Sequence, residues 1–369
     1  MTTTASSRLR QPRGPIVNNL TTGQLPKLVE LYLVAASLLV VAAIMAFMSA
    51  FTVGGWLFLS VVLYLVSLGV LSSVAENRRR AVDRLVRSLV AIAFLLALAP
   101  LVSTLATVTI KGIGQLNWGF ISTTGGAVFN PDTLAVTVSS GALQAIVGTL
   151  EITGIAALMS VPIGILTAVY LVEYAEPSNW LARAVTFLID VMTGIPSIVA
   201  GLFAFSLFSL LIGPKAFSGF SASVALSVLM IPIVVRSCEE MLRLVPSDLR
   251  EASFALGVSR FSTITKIVLP TAIAGIITGV MLAIARVIGE TAPIFIAASF
   301  TDNFNANPFN GPMQTLPVLA YTGYKFPSQD IAASNSSAWG AALLLVILVI
   351  ILNIIARIVA RVFAPKGAR

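Results

Sequence analysis

Long apolar runs separated by short polar and charged segments organise this chain. Eight runs stand out, at about 30–51, 53–75, 86–110, 142–172, 184–212, 216–236, 268–298 and 338–362. About 20 apolar residues suffice for a helix to cross a bilayer. The runs are continuous rather than alternating, so they predict membrane helices and not the short strands of a barrel. The expected fold is an all-α polytopic membrane protein with about eight transmembrane helices. Residues 1–29, rich in Thr, Ser, Pro and Arg, are expected to form a disordered tail. Residues 30–83 read as a transmembrane hairpin, broken near Gly54-Gly55, followed by a basic connector. Residues 84–141 read as one span and an outer loop with turns at Gly125-Gly126 and Asn130-Pro131-Asp132. Residues 142–362 hold five spans and a polar loop at 299–337, and 363–369 form a second tail. Arg8, Arg10 and Arg13 before the first apolar run imitate a signal peptide. That run is too long and lacks a cleavage site, so an uncleaved anchor is expected.

Composition reinforces this picture, with 57% hydrophobic and 10% charged residues, against about 25% charged in a soluble domain. The net charge of +8 raises the question of nucleic acid, and its distribution answers it. Only Lys111, Lys215 and Lys325 fall on one side of the predicted spans, and Arg286 falls within one. The other basic residues share the opposite side, including Arg78, Arg79, Arg80, Arg357, Arg361, Lys366 and Arg369. The positive-inside rule therefore predicts that both termini are cytoplasmic. The basic excess reports topology, and no nucleic-acid partner is expected. The single cysteine, Cys238, forms no internal disulfide. The absence of histidine removes the usual general base and the commonest metal ligand. There is no G-x-x-x-x-G-K-[ST] phosphate loop, no metal-ligand cluster and no nucleophile–base pair. No catalytic residue and no metal site are expected, which speaks against a membrane enzyme and against a self-contained ATPase.

Three segments carry the candidate chemistry. The first is the charged loop 248–270. Asp248 is expected to cap a short helix, with Glu251 completing a capping box, and Gly257 to end it in the left-handed conformation. Ser259 would cap a second helix running to Pro270. Two short helices at an angle make a knob that fits a partner's groove; an ordinary basic loop with routine caps fits the same residues. The second segment is Ala285-Arg286-Val287-Ile288-Gly289-Glu290-Thr291-Ala292-Pro293. If it is helical, Arg286 and Glu290 share a face and neutralise one another as an ion pair. Charges in mid-bilayer cost at least ~2.5–3.5 kcal/mol and usually pair or line an aqueous path. A polar station on a translocation path, with Thr291 adding a hydroxyl, and a structural salt bridge both fit. The third is Gly194-Ile195-Pro196-Ser197-Ile198-Val199-Ala200-Gly201, which interrupts the fifth run. Its Pro and small residues fit a packing kink or a gate. Asp190 just before it, like Glu151, lies near or within a span.

The order Glu251-Ala252-Ser253, three residues, Gly257, nine residues, Ile267-Val268-Leu269-Pro270 resembles the EAA loop of binding-protein-dependent ABC importer permeases. Gly194-Ile195-Pro196-Ser197 is similar to a G-x-P-S segment common in those permeases. Arg286 to Pro293 resembles the R-x-x-G-E-T-A-P signature of the phosphate-specific permeases, its Ala-Pro ending that of the PstA type. The resemblance covers about 84–369 and is strongest over 142–356. It implies a MetI-like core of five to six helices, with the N-terminal hairpin additional. It implies a bacterial inner-membrane subunit whose partners are a second, PstC-like permease, two copies of a PstB-like ATPase and an external, PstS-like phosphate-binding protein. This chain would bind no cofactor, and ATP and Mg would be used by the ATPase. It also implies that the 248–270 loop docks the ATPase and that Arg286 and Glu290 take part in phosphate passage. The guanidinium fork suits phosphate oxygens. Glu290 would hold Arg286 when the path is empty and accept the proton that phosphate, unlike sulfate, still carries at neutral pH. Ser253 stands where the loop motif has Ala. Importers for sulfate, molybdate or another solute share the loop, and an ion-coupled secondary transporter, which usually shows internal repeats, is the alternative of a different class.

Overall fold

The computed structural model describes residues 25–26, 28–49, 51–130, 135–176, 178–213, 216–328 and 330–363. Most of the expected N-terminal tail, Lys215, the Pro131-Asp132 turn, and Lys366 and Arg369 lie outside these residues. The chain divides into two compact units, Met1–Thr104 and Leu105–Arg369.

In the first unit, α1 (Val29–Phe47) and α2 (Val53–Ala75) form an antiparallel hairpin, and α3 (Arg78–Gly112) starts two residues after α2. The hairpin turns at 48–52, where Ser49 takes a positive φ of 51°. Gly54 and Gly55 lie inside the first turn of α2 instead of at the break. Ser60, Tyr64, Leu68 and Ser72 form the buried stripe of α2. Their i, i+4 spacing puts small and aromatic side chains on one face, the pattern that lets helices approach closely in lipid. Trp56 donates to the Leu38 carbonyl at 2.9 Å, tying α2 to α1.

The polar ends of these helices meet at Arg84. Its guanidinium bonds Glu76 twice, at 2.9 Å each, and Glu30 at 2.8 Å. Glu76 also accepts from the Leu25 amide and the Ser72 hydroxyl, at 2.8 Å each. Its side chain is only 1% accessible. The Arg84 guanidinium, helped by these other donors, holds the Glu76 carboxyl down to about 2 against the opposing effect of burial. A carboxyl depressed on folding stabilises the fold above its unfolded value and loses that contribution as pH falls through the folded one. Wild type and Glu76→Gln should therefore differ most in thermal stability above about pH 4.5. Their melting temperatures in detergent should converge as pH falls toward 2.

The second unit begins within α3. After a single 3-10 turn (Ile113–Gln115) come α4 (Trp118–Ser122) and the antiparallel strands β1 (Gly126–Asn130) and β2 (Ala135–Ser139), paired Gly126 with Ser139 through Asn130 with Ala135. The connection expected to be a loop thus carries a hairpin. Next come α5 (Leu143–Val169), α6 (Trp180–Thr193), α7 (Ser197–Ile212), α8 (Gly219–Arg243), α9 (Ser247–Ala255), α10 (Arg260–Thr263), α11 (Leu269–Val287), α12 (Ala292–Ala298), α13 (Leu316–Lys325) and α14 (Ile331–Phe363). Helix α8 is the hub. Ala222, Ala225, Leu226, Met230, Val234, Val235, Cys238 and Leu242 are all inaccessible, so α8 is surrounded by protein, and Cys238 is a core residue. Its hydroxyls also pin it to α5, with Ser223 donating to the Ile152 carbonyl at 3.1 Å.

Seven described helices are long and apolar enough to cross a membrane, or eight if the bent pair α6–α7 counts as one span. This is the expected helical membrane architecture, but two of the eight runs fold differently from continuous helices. The run at 184–212 turns through 107° between α6 and α7. The run at 268–298 stops at Val287 and resumes as α12. Pro293 explains that break. In a continuous helix it could not donate to the Gly289 carbonyl, and its ring would collide with it.

A candidate anion station and a candidate docking loop

The α11–α12 break builds the first site. Arg286 on the last turn of α11 and Glu290 in the break both line a cavity of about 560 Å³. Met192, Thr193, Ile195 and Ser197 enclose it from the α6–α7 corner, and Leu229, Pro232 and Ile233 from α8. The third sequence segment therefore meets the second. Gly201 on α7 lies directly against α12, where an added Cβ would stand 2.7 Å from Pro293 Cα and 3.0 Å from its carbonyl oxygen. Only glycine allows that approach. Gly201→Ala should cost about 1–3 kcal/mol through overpacking, read as a lowered melting temperature of the purified protein, and Gly201→Val should cost more.

The expected Arg286–Glu290 ion pair does not form. A shared face needs a helix through 290, and the chain leaves the helix at 288. Among the described residues neither side chain has an ion-pair or hydrogen-bond partner. Arg286 is exposed and Glu290 half-buried. Thr291 is half-buried at the N-terminus of α12, where its carbonyl accepts from the Phe295 amide at 2.9 Å, and it is not among the residues lining the cavity. Glu151 on α5 also stands apart from this cavity, with Oε2 buried and without a hydrogen-bond partner among the described residues. Gly194 closes α6 with ordinary right-handed backbone, and Pro196 opens α7 by accepting from the Val199 amide at 2.9 Å. Ser197 faces the cavity. Asp190, one turn before the corner, is ion-paired with Arg236 of α8.

The second site is the loop after α8. Gly257 has φ +75° and Val258 N donates back to Ser253 O at 3.2 Å, the left-handed termination expected for α9. The Ser259 side chain accepts from the Ser262 amide, as expected of an N-cap. The Asp248 cap is not observed. Pro246 occupies the N-cap position, and Asp248 lies in the first turn of α9 with no capping bond, so no capping box forms with Glu251. Nor is the second helix a short one of its own. α10 continues through a π-turn (Ile264–Val268) into α11 as one span from Arg260. Pro270 again gives the reason, since it cannot donate to the Lys266 carbonyl and the wider turn accommodates the gap. Ile267 and Leu269 are half-buried around buried Val268. Ser253 has a partner that Ala would lack. Its hydroxyl lies 2.8 Å from that of Thr263, both residues buried. Glu251 and Ala252 face outward, among exposed Leu244, Phe254, Leu256 and Phe261.

Long-range partners of the loop escaped sequence reasoning. Arg250 on α9 reaches Glu173 at 2.7 Å, and also the Leu242 and Val245 carbonyls at the end of α8, at 2.9 and 2.7 Å. Glu173 sits on a π-turn (Tyr170–Tyr174) that ends α5, and its side chain is 7% accessible. The next residue, Tyr174, carries the Arg260 guanidinium 5.3 Å above its ring. Two adjacent residues of the π-turn after α5 thus hold α9 and the start of α10.

The family model for inner membrane components of binding-protein-dependent transport systems matches residues 160–368. The chain is 42% identical over 273 residues to the phosphate transport system permease protein PstA 1 of Mycobacterium tuberculosis (strain ATCC 25618 / H37Rv), covering 73% of this chain and 84% of that protein. It is 44% identical to PstA of Mycobacterium leprae, covering 73% and 86%, and 38% identical to PstA of Haemophilus influenzae, covering 73% and 90%. Among solved structures, a bacterial alginate ABC transporter in complex with an alginate-bound periplasmic protein shares the fold, with a TM-score of 0.52, 14% identity and coverage of 78% of this chain and 97% of that one. Fold and family model define a multi-pass membrane transport permease. The chain belongs to the inner membrane components of binding-protein-dependent transport systems and, within them, to the PstA permeases.

Proposed function

We propose that this chain is the permease subunit of an ATP-driven importer for inorganic phosphate and forms one half of its translocation path. The carrying observation is Arg286, a cation in a membrane span that lines a cavity and has no partner among the described residues. Facing lipid, such a guanidinium would cost at least ~2.5–3.5 kcal/mol. An aqueous path shared with a second, homologous permease accounts for both its exposure and its chemistry, because its donors match a tetrahedral oxyanion. The names of the relatives support phosphate over other oxyanions.

The exposed Glu251–Ala252 face and its apolar surround would dock one of two ATPase subunits, which would bind ATP and Mg and do the hydrolysis. This chain would perform no covalent chemistry. An external phosphate-binding protein would deliver substrate to the opposite side, to segments within 111–141 and 299–337. The charge distribution supports a cytoplasmic location, in a bacterial cell, for both termini and the docking loop. The test is uptake of labelled phosphate at low concentration by cells with and without this chain and with no duplicate system, in the presence of excess sulfate or molybdate. Loss of uptake in its absence, with uptake in its presence insensitive to both competitors, is the expected result. Unchanged uptake would remove phosphate as the substrate.

A further inference from the structure

The path has a second polar feature beyond the Arg286 cavity. A larger cavity, about 670 Å³, lies nearer the docking loop and is lined by Arg183, Asp190, Glu239 and Arg243 among others. The two cavities share the same two walls, α6 and α8. On α8, Pro232 and Ile233 line the first and Glu239 and Arg243 the second. On α6, Met192 and Thr193 line the first and Thr186, Phe187 and Asp190 the second. Arg236 lies one helical turn from Ile233 and one from Glu239. Its ion pair with Asp190 therefore crosses from α8 to α6 at the boundary between the cavities.

Arg236 has two carboxylate partners of different kinds. Glu239, on its own helix, bonds Arg236 at 2.9 Å and Arg243 at 2.7 Å, and its side chain is only 11% accessible. Asp190 comes from the other helix and is 59% accessible. Glu239 is thus a fixed counter-charge that orients Arg236, and Asp190 is the ligand that an incoming anion can displace. A carboxylate and a phosphate compete for the same edge of a guanidinium.

Resting on the phosphate reading above, we propose that Arg236 is a second phosphate station, between the Arg286 cavity and the inner cavity, and that Asp190 is its stopper. Phosphate leaving Arg286 takes the place of the Asp190 carboxylate on Arg236, which frees α6 from α8 and opens the way to the inner cavity. When phosphate leaves, Asp190 returns and closes it.

The experiment uses the assembled importer in vesicles preloaded with labelled inorganic phosphate, and reads both ATP-driven import and ATP-independent efflux. Asp190→Asn should raise efflux about tenfold while import persists, because the stopper is lost and the station remains. Arg236→Gln should lower import about tenfold, and Arg236→Lys should recover part of it. The exchange Asp190→Arg with Arg236→Asp separates this role from a mere helix tie. It rebuilds the α6–α8 bond but moves the cation to α6 and sets a carboxylate beside Glu239, so it should restore assembly and not import. Full import by the exchange, or efflux from Asp190→Asn vesicles at the wild-type rate, would overturn the station while leaving the phosphate reading standing. If Asp190→Asn does not assemble and Asp190→Glu imports and retains phosphate normally, the residue is a tie and the proposal fails. Absence of phosphate import by the wild-type complex would refute the underlying function instead.

Discussion

Arg286→Gln should reduce phosphate import by about a hundredfold, the effect expected when one partner of a desolvated charge interaction is removed, on the order of 2–5 kcal/mol. The complex should still assemble. Arg286 makes no ion pair among the described residues, so no carboxylate is left stranded by its removal. Its neighbours Ala283 and Val287, which hold α11 in the core, are untouched. This separates a path residue from a structural one, because a salt bridge holding helices together would lower assembly and import alike. Glu290 lines the same cavity without binding Arg286, so its part is narrower than the sequence suggested. In the proposed path it would leave the guanidinium free for the anion, and as an acceptor facing the same space it would favour an anion that brings a proton. Glu290→Gln should therefore lower phosphate import less than Arg286→Gln and weaken the discrimination against sulfate. Uptake of both labelled anions by the two variants, compared with the amount of complex purified, checks these expectations. Normal import by Arg286→Gln would end the assignment.

What could be read in the sequence was what local rules govern. The spans were legible because lipid leaves the backbone few options. Gly257 and Ser259 were legible because a helix end must satisfy its own amides within a few residues. The Asp248 cap failed within the same rules, since Pro246 took the N-cap position and left Asp248 two residues too deep. The Arg286–Glu290 pair failed because periodicity assumes a continuous helix, and Pro293 breaks the helix before Glu290 is reached. Out of reach were pairings between distant residues. Asp190 and Arg236 are 46 positions apart, and Glu173 and Arg250 are 77 apart. Nor does any residue signal the π-turn that ends α5, and such a turn shifts every later side chain around the helix. The turn at Tyr170–Tyr174 sets where Glu173 points.

That turn underlies the other large expected effect. Arg250→Ala should uncouple ATP hydrolysis from transport. Arg250 joins three pieces at one guanidinium: α9, the end of α5 through Glu173, and the last carbonyls of α8 through Leu242 and Val245. A cation at a helix C-terminus is favourable in its own right. In the proposed importer it would also make α9 move as one body with the two helices at the centre of the second unit. Removing it strands Glu173 at 7% accessibility, a change of the kind that costs about 3–5 kcal/mol. The exposed surface that would meet the ATPase, including Glu251, Leu256 and Phe261, should stay in place. The ATPase should therefore still copurify and hydrolyse ATP, but hydrolysis should no longer respond to the loaded phosphate-binding protein, and import should fall about tenfold or more. Glu173→Ala should act in the same direction more mildly, because Arg250 keeps its two carbonyl partners. Loss of ATPase from the complex would mean that Arg250 holds the docking surface itself in shape. An unchanged ratio of phosphate imported to ATP hydrolysed would mean that force passes through the continuous helix from Arg260 into α11, with α9 as a passive foot.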